Sequence, residues 1–426
     1  MASGLRGFVR RLGPGLITGA ADDDPSGIAT YSQAGAQFRF ALAWTLLLTT
    51  PLMIGIQLLS ARIGWVTGQG LAANIARVCP RWVTVTLVAL LVAANTLNIA
   101  ADVAAMGEAV RLLAGGQSAP YVLALGGLCV AMQLFFPYER TVRLLKWLTL
   151  VLFAYVAVLL AVRVPWGEVA AEGLLPWTAW RDDLSVGAYA AMVVAVLGTT
   201  ISPYLFFWQA AQEVENKRRA PLGDRTLPHP ARERLFLRRI RVDTVVGMCF
   251  SNAVALCIVV AAGVTLHGQG AHVDSAAQAA QALRPVAGDF AFWLFALGIV
   301  GTGLLAVPVL AGSAAYAVSE LLGWPGGLSR GFHEARGFYG IIVAATVLGT
   351  LGSLLEVDPM SALVWSAVAN GVIAVPIMVA MLFIGQSRRL MGAQVMSRRL
   401  RWLSWLATGV MAAAVAFMGL SSLLGG

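Results

Sequence analysis

Charge is scarce in this chain. Of its 426 residues only 12% are Asp, Glu, Lys or Arg while 58% are hydrophobic, where soluble domains carry about 25% charged residues. With a mean hydropathy of +0.76, an ordinary soluble domain is excluded and a polytopic membrane protein is expected. Cysteine is equally sparse. Cys79, Cys129, Cys249 and Cys257 have no metal-ligand spacing, and three lie in apolar segments where a thiol behaves as a small hydrophobe, so neither a disulfide framework nor a cysteine metal site is expected. No concentrated basic patch accompanies the net charge of +9. The basic residues fall in short loops between apolar runs, which is a topology signal and speaks against a nucleic-acid partner. Nor is there an uninterrupted leader: Arg6, Arg10 and Arg11 precede an apolar run, but Asp22, Asp23 and Asp24 break it, so the segment is predicted to stay as the first span.

Long apolar runs, by contrast, abound. Segments of about 18 or more apolar residues fall near 13–37, 40–62, 83–110, 120–137, 144–163, 187–213, 243–266, 288–318, 337–355, 359–384 and 402–424. They predict eleven spans in one transmembrane domain, and hence a lipid bilayer as the surrounding partner. Arg62, Arg77 and Arg81, then Arg140, Arg143 and Lys146, nine Lys and Arg from Lys217 to Arg241, Arg330 with Arg336, and Arg388 to Arg401 occupy alternate loops. The opposite loops hold few, such as Arg111 and Arg284. The positive-inside rule then predicts a plasma (inner) membrane protein with a cytoplasmic N-terminus and an external C-terminus. The longest charged stretch, Asn216 to Arg241, contains Pro221, Pro228 and Pro230 and reads as a solvated cytoplasmic loop. Trp82, Trp147, Trp180, Trp324 and Trp402 lie near span ends as interfacial anchors.

Two spans are interrupted. "GAADDDPSGIATYSQAG" (Gly19 to Gly35) puts three carboxylates, a proline and a glycine into the first, and "VLGTTISPYLFFWQ" (Val196 to Gln209) puts Gly198, Thr199, Thr200, Ser202 and Pro203 into the sixth. Proline removes a donor, and glycine and hydroxyl residues weaken the helical ladder. Each interrupted span opens a five-span block, about 13–163 and about 187–384. Matched breaks in two halves point to an inverted-repeat transporter with its site near the bilayer midplane, since unwound backbone is tolerated at that depth only beside a cavity or under protein.

Intramembrane carboxylates cost about 2.5 kcal/mol or more each on insertion scales and so default to functional candidates. Asp22, Asp23 and Asp24 cannot all point one way from a helix, so one or two are expected to face the cavity. Asp102, in "NIAADVAAMGEAV" of the third span, is a further buried acid, with Glu108 near the outer end. Asp22, Asp23, Asp102 and Glu108 are the candidates for a coupling or proton route, and structural pairing is the alternative for Asp102 and Glu108.

These segments resemble the natural resistance-associated macrophage protein (NRAMP) family of divalent-metal transporters. "GPGLITGAADDDPSG" is similar to its first-helix pattern GPG…DPGN, "LLSARIGWVTGQGLA" to the end of its second helix, "NIAADVAAMGEAV" to its third, and "GTTISPY" to its sixth-helix pattern GATVMPH. The resemblance covers about the first ten spans. It implies an all-α LeuT-type fold of two inverted five-helix repeats with helices 1 and 6 broken and an eleventh helix appended. It also implies which metal ligands are missing. Asp24 keeps the family's aspartate, but Gly27 stands at the Asn position, Ser202 at the Met position and Ala367 at the Gln position. Tyr204 replaces the sixth-helix histidine, Gln209 the following one, and Ala105 the acid after Asp102.

Two transport readings follow for a small inorganic ion. The leading one is a small oxyanion such as bicarbonate, bound by hydroxyls of Ser26, Thr199, Thr200, Ser202 and Tyr204 and by N–H groups after both breaks, where Gly27 allows close approach. The alternative is proton-coupled uptake of a divalent cation, Mg²⁺ or Mn²⁺, on Asp24 with carbonyls and waters, because magnesium keeps several waters and needs only one or two carboxylates. A membrane aspartyl protease built on Asp24 and Asp102 would leave the paired breaks unexplained, so no enzyme is expected. No cofactor is expected, and the transporter is expected to be a monomer.

Overall fold

The structure, a computed structural model, describes residues 18–19, 21–136, 151–174, 185–219, 229–267, 275–355 and 358–423. Arg6, Arg10 and Arg11, the segment from Gly13 to Ile17, the Arg140, Arg143 and Lys146 group, Trp147, Trp180, and the prolines Pro221 and Pro228 lie outside the described residues.

All described regular structure is helical. The helices are α1 (Pro25–Phe38), α2 (Ala43–Thr67), α3 (Leu71–Val78), α4 (Arg81–Ala114), α5 (Ser118–Phe135), α6 (Phe153–Ala161), α7 (Trp166–Leu174), α8 (Val186–Thr200), α9 (Pro203–Arg219), α10 (His229–Thr265), α11 (Ala276–Gln281), α12 (Arg284–Ala287), α13 (Ala291–Leu322), α14 (Arg336–Gly352), α15 (Pro359–Gln386), α16 (Arg388–Met391) and α17 (Arg398–Leu423). Among the described residues eight helical segments are long and apolar enough to cross a membrane, with Arg336–Gly352 as a shorter apolar helix. Of the eleven expected spans, the first and fifth are described only in part. The expected loop from Asn216 to Arg241 is largely helical instead: its start completes α9 and its end, from His229, is a long extension of α10. Pro230 does not prevent this, because a proline in the first helical turn forfeits an N–H that has no intrahelical partner anyway. The extension has an apolar face as well as its arginines: Phe236 stacks on Trp65 of α2 at 4.7 Å between ring centroids, and Ile240 is buried with Ala61 and Trp65.

The centre is built from the interrupted spans and the long helices around them. α4 packs on α13, α15, α14 and α5, α1 packs on α10, α15 and α8, and α2 packs on α9, α10 and α17. Close approach depends on small residues. A Cβ at Gly198 would lie 2.0 Å from the Ala367 carbonyl oxygen and 2.6 Å from the Gly371 nitrogen, so α8 and α15 meet backbone to backbone beside the second break. Trp82 and Trp402 are strongly exposed and Trp324 is half exposed, as anchors at span ends should be. α1 ends at Arg39, whose φ of 54° is positive and whose guanidinium pairs with Glu168 at 2.5 Å and Glu172 at 3.0 Å on α7.

Candidate ion site at the two helix breaks

Both interruptions are present where the sequence predicts them. Helical residues end at Asp22, Asp23 and Asp24 are non-helical, and α1 restarts at Pro25, while α8 stops at Thr200 and α9 starts at Pro203. The breaks face each other: the Tyr204 hydroxyl at the start of α9 lies 3.1 Å from the Ala21 carbonyl and 3.3 Å from Asp24 Oδ2, and Thr199 Oγ1 stands against Gly27.

Each break satisfies much of its own backbone. Asp24 is the N-cap of α1, its Oδ1 accepting the Gly27 N–H at 2.7 Å in the usual capping geometry. At the second break Pro203 has no N–H to offer the Thr199 carbonyl. The Ser202 hydroxyl takes over, donating to the Thr199 and Gly198 carbonyls, each at 2.8 Å. The Thr200 hydroxyl likewise donates back to Val196 at 2.9 Å. Four donors on which an oxyanion would rely, the Gly27 N–H and the Thr200, Ser202 and Tyr204 hydroxyls, are therefore directed at acceptors of the protein itself. That removes the main support for the oxyanion reading. Ser26 and Thr199 are buried at the same place.

The carboxylates gather here without cations. Asp22, Asp23, Asp24 and Asp102 are each at most 2% exposed, and none of the ion pairs among the described residues reaches any of them. They form two pairs. Asp22 Oδ2 and Asp23 Oδ1 share the Ser251 hydroxyl on α10, at 2.6 and 3.2 Å. Asp24 Oδ2 and Asp102 Oδ2 share the Asn98 amide nitrogen, at 3.2 Å each. All three acids of the first break are thus buried, in two directions, where one or two were expected to turn inward. Among the described residues no three His, Cys, Asp or Glu side chains gather round one point as an ion-holding group, so any ion here meets at most two carboxylates and neutral oxygens. Glu108 is not brought to the site. It pairs with Arg111 one turn along, at 2.5 Å, near the helix end.

Sequence reading missed four participants. Asn98 lies four residues before Asp102, which puts both on one face of α4, so its signal was present in "NIAAD". Asn370 on α15 donates to Asn98 Oδ1 at 3.2 Å, three residues beyond Ala367. Ser251 and Tyr31 had no local signal. Tyr31 is wholly buried, its ring lying against Gly27. Gln209 bridges α2 and α10 through Gln57 at 2.6 Å and Thr244 at 2.9 Å.

Comparison with known proteins agrees with this architecture. The family described as natural resistance-associated macrophage protein-like (Nramp) matches residues 15–421. A divalent metal cation transporter MntH of Verminephrobacter eiseniae is 27% identical over 395 residues, covering 89% of this chain and 82% of that protein. The MntH of Acidiphilium cryptum is 26% identical over 403 residues, 92% of this chain and 86% of the relative. Among solved structures, the Eremococcus coleocola manganese transporter superposes with a TM-score of 0.75 at 17% identity, over 96% of this chain and 85% of its own. Mhp1, a nucleobase-cation-symport-1 family transporter, gives 0.59 at 12% identity, over 97% and 90%. These likenesses establish the LeuT-type fold with two inverted repeats and broken helices 1 and 6.

Proposed function

The chain belongs to the Nramp family of membrane transporters, and from that premise we propose that its cargo is a hard divalent metal cation, Mg²⁺ or Mn²⁺, carried in a proton-coupled cycle. The observation that carries this reading is the convergence of four buried carboxylates on the first break with no paired cation among the described residues. Buried carboxylates without a counter-charge are costly, and a divalent cation supplies that charge where an oxyanion would add to the cost. The names of the relatives, divalent metal cation transporters, point the same way.

Asp24 is the ligand of this proposal. It stands at the break, between the two halves, with one oxygen capping α1 and the other turned toward α4 and α9. Gly27, Ser202 and Ala367 put no thioether at these three positions, and oxygen ligands suit Mg²⁺ and Mn²⁺ better than softer ions. Asp22 and Asp23, which share Ser251 and sit on the opposite side of the break, are the candidates for the coupling proton. The test is transport in liposomes: influx of Mn²⁺ or Mg²⁺ that Asp24→Ala abolishes supports the reading, and bicarbonate-driven internal pH change without divalent influx overturns it.

A further inference from the structure

Asp24 and Asp102 share the amide nitrogen of Asn98, 3.2 Å from an oxygen of each. It lies between the two carboxylates, where an ion bridging them would also lie, and it presents N–H groups there. The other end of the same amide, Oδ1, accepts from Asn370 Nδ2 at 3.2 Å. Two acceptors in this cluster have no donor, Asp102 Oδ1 and Asn370 Oδ1, on side chains that are 0% and 2% exposed. Buried acceptors are seldom left so.

The geometry points to an amide switch, a reading that rests on the cation function proposed above: Asn98 is a cation ligand through its oxygen, and Asn370 is the residue that sets which end of Asn98 faces the carboxylates. A carboxamide carries a donor and an acceptor at the two ends of nearly the same shape. Half a turn of the Asn98 side chain exchanges them, so that Oδ1 faces the space between Asp24 and Asp102 and Nδ2 faces Asn370. Asn98 cannot turn alone, because its NH₂ would then meet the NH₂ of Asn370. Asn370 must turn with it, presenting the Oδ1 that has no donor in the present orientation. In one orientation the pair closes the site with N–H groups. In the other it offers two carboxylates and an amide oxygen, an all-oxygen set of the kind hard divalent ions take alongside water. The amides absent from positions 27 and 367 are in this way resupplied from α4 and from a different position of α15. Because α4 lies in the first half of the chain and α15 in the second, turning the pair links cargo binding to the contact between halves.

Two substitutions in the full-length protein test the assignment, each read by Mn²⁺ and Cd²⁺ uptake into liposomes. Asn98→Met puts a thioether where the amide oxygen would bind and removes the N–H groups, so the ratio of Cd²⁺ to Mn²⁺ uptake should rise about tenfold or more. Being a ratio within one preparation, it is independent of how much protein folds. Asn370→Leu removes the acceptor that holds Asn98 turned and should raise the KM for Mn²⁺ about tenfold, as loss of a ligand-orienting group does, with the ratio unchanged. A Cd²⁺ to Mn²⁺ ratio within about twofold of the parent in Asn98→Met, or an unchanged Mn²⁺ KM in Asn370→Leu, overturns the switch while leaving divalent transport standing. Absence of Mn²⁺ and Mg²⁺ uptake by the parent protein overturns both.

Discussion

Removing the Ser202 hydroxyl separates a structural role from a substrate-binding one. That hydroxyl lies 2.8 Å from both the Gly198 and Thr199 carbonyls and carries a single hydrogen, which the two acceptors share. The Thr199 carbonyl has no helical donor, because residue 203 is proline. Ser202→Ala therefore removes the one proton that serves both buried carbonyls, at a cost of about 1–3 kcal/mol. Ser202 is only 1% exposed, so water offers little compensation unless the site opens. If the hydroxyl supports the break and does not touch cargo, the variant should lose about 1–3 kcal/mol in equilibrium unfolding in mixed detergent micelles. The KM for Mn²⁺ should meanwhile move by no more than about twofold, equivalent to about 0.5 kcal/mol. Unchanged stability together with loss of transport would refute the reasoning, because the hydroxyl would then be serving the cargo.

Three further outcomes are expected. Gly198→Ala puts a Cβ 2.0 Å from the Ala367 carbonyl oxygen, where only backbone can yield, and should destabilise by about 1–3 kcal/mol, whereas Gly409→Ala in α17, which meets nothing within 4 Å, should stabilise by about 0.5–1 kcal/mol; unfolding in mixed micelles reads both. Arg39→Gly loses the pairs to Glu168 and Glu172, each part-exposed and worth about 0–1 kcal/mol, but relieves a positive φ of 54° that costs a comparable amount, so net stability should change by less than about 1 kcal/mol. Glu215→Gln weakens the bonds by which the carboxylate accepts the Tyr316 hydroxyl and, at 2.7 Å, the Leu328 N–H; cysteine labelling near Leu328 should become faster as that end of α9 loosens.

The breaks were legible because their signals are local. Pro25 and Pro203 cannot donate to the preceding helix, and three consecutive acids have no reason to sit in an apolar span, so position and kind could be read from composition alone. The site's remaining members depend on tertiary geometry. Asn98 could have been found by its four-residue spacing from Asp102, but Asn370 and Ser251 become partners only when α15 and α10 pack on the first break. Gly27 and Ala367 lack the family's amides, while the amides of Asn98 and Asn370 stand on α4 and at a different position of α15. The oxyanion expectation had a similar origin. It counted hydroxyls as available donors, although serine and threonine inside helices commonly donate to carbonyls of the preceding turn, as Thr200 and Ser202 do here. The solvated-loop expectation for Asn216 to Arg241 counted charges and overlooked the apolar face carried by Phe236 and Ile240, which packs on Trp65.

The central claim is that the acids at the first break hold a divalent cation, and ion flux in liposomes tests it most directly. Purified protein and its Asp24→Ala variant would be reconstituted with an internal divalent-sensitive dye or an internal pH dye, and challenged with Mn²⁺, Mg²⁺ or bicarbonate. The account predicts saturable Mn²⁺ or Mg²⁺ influx by the parent protein, none by Asp24→Ala, and no bicarbonate-driven pH change by either. Bicarbonate flux in the parent that persists in Asp24→Ala, with no divalent influx, would contradict it.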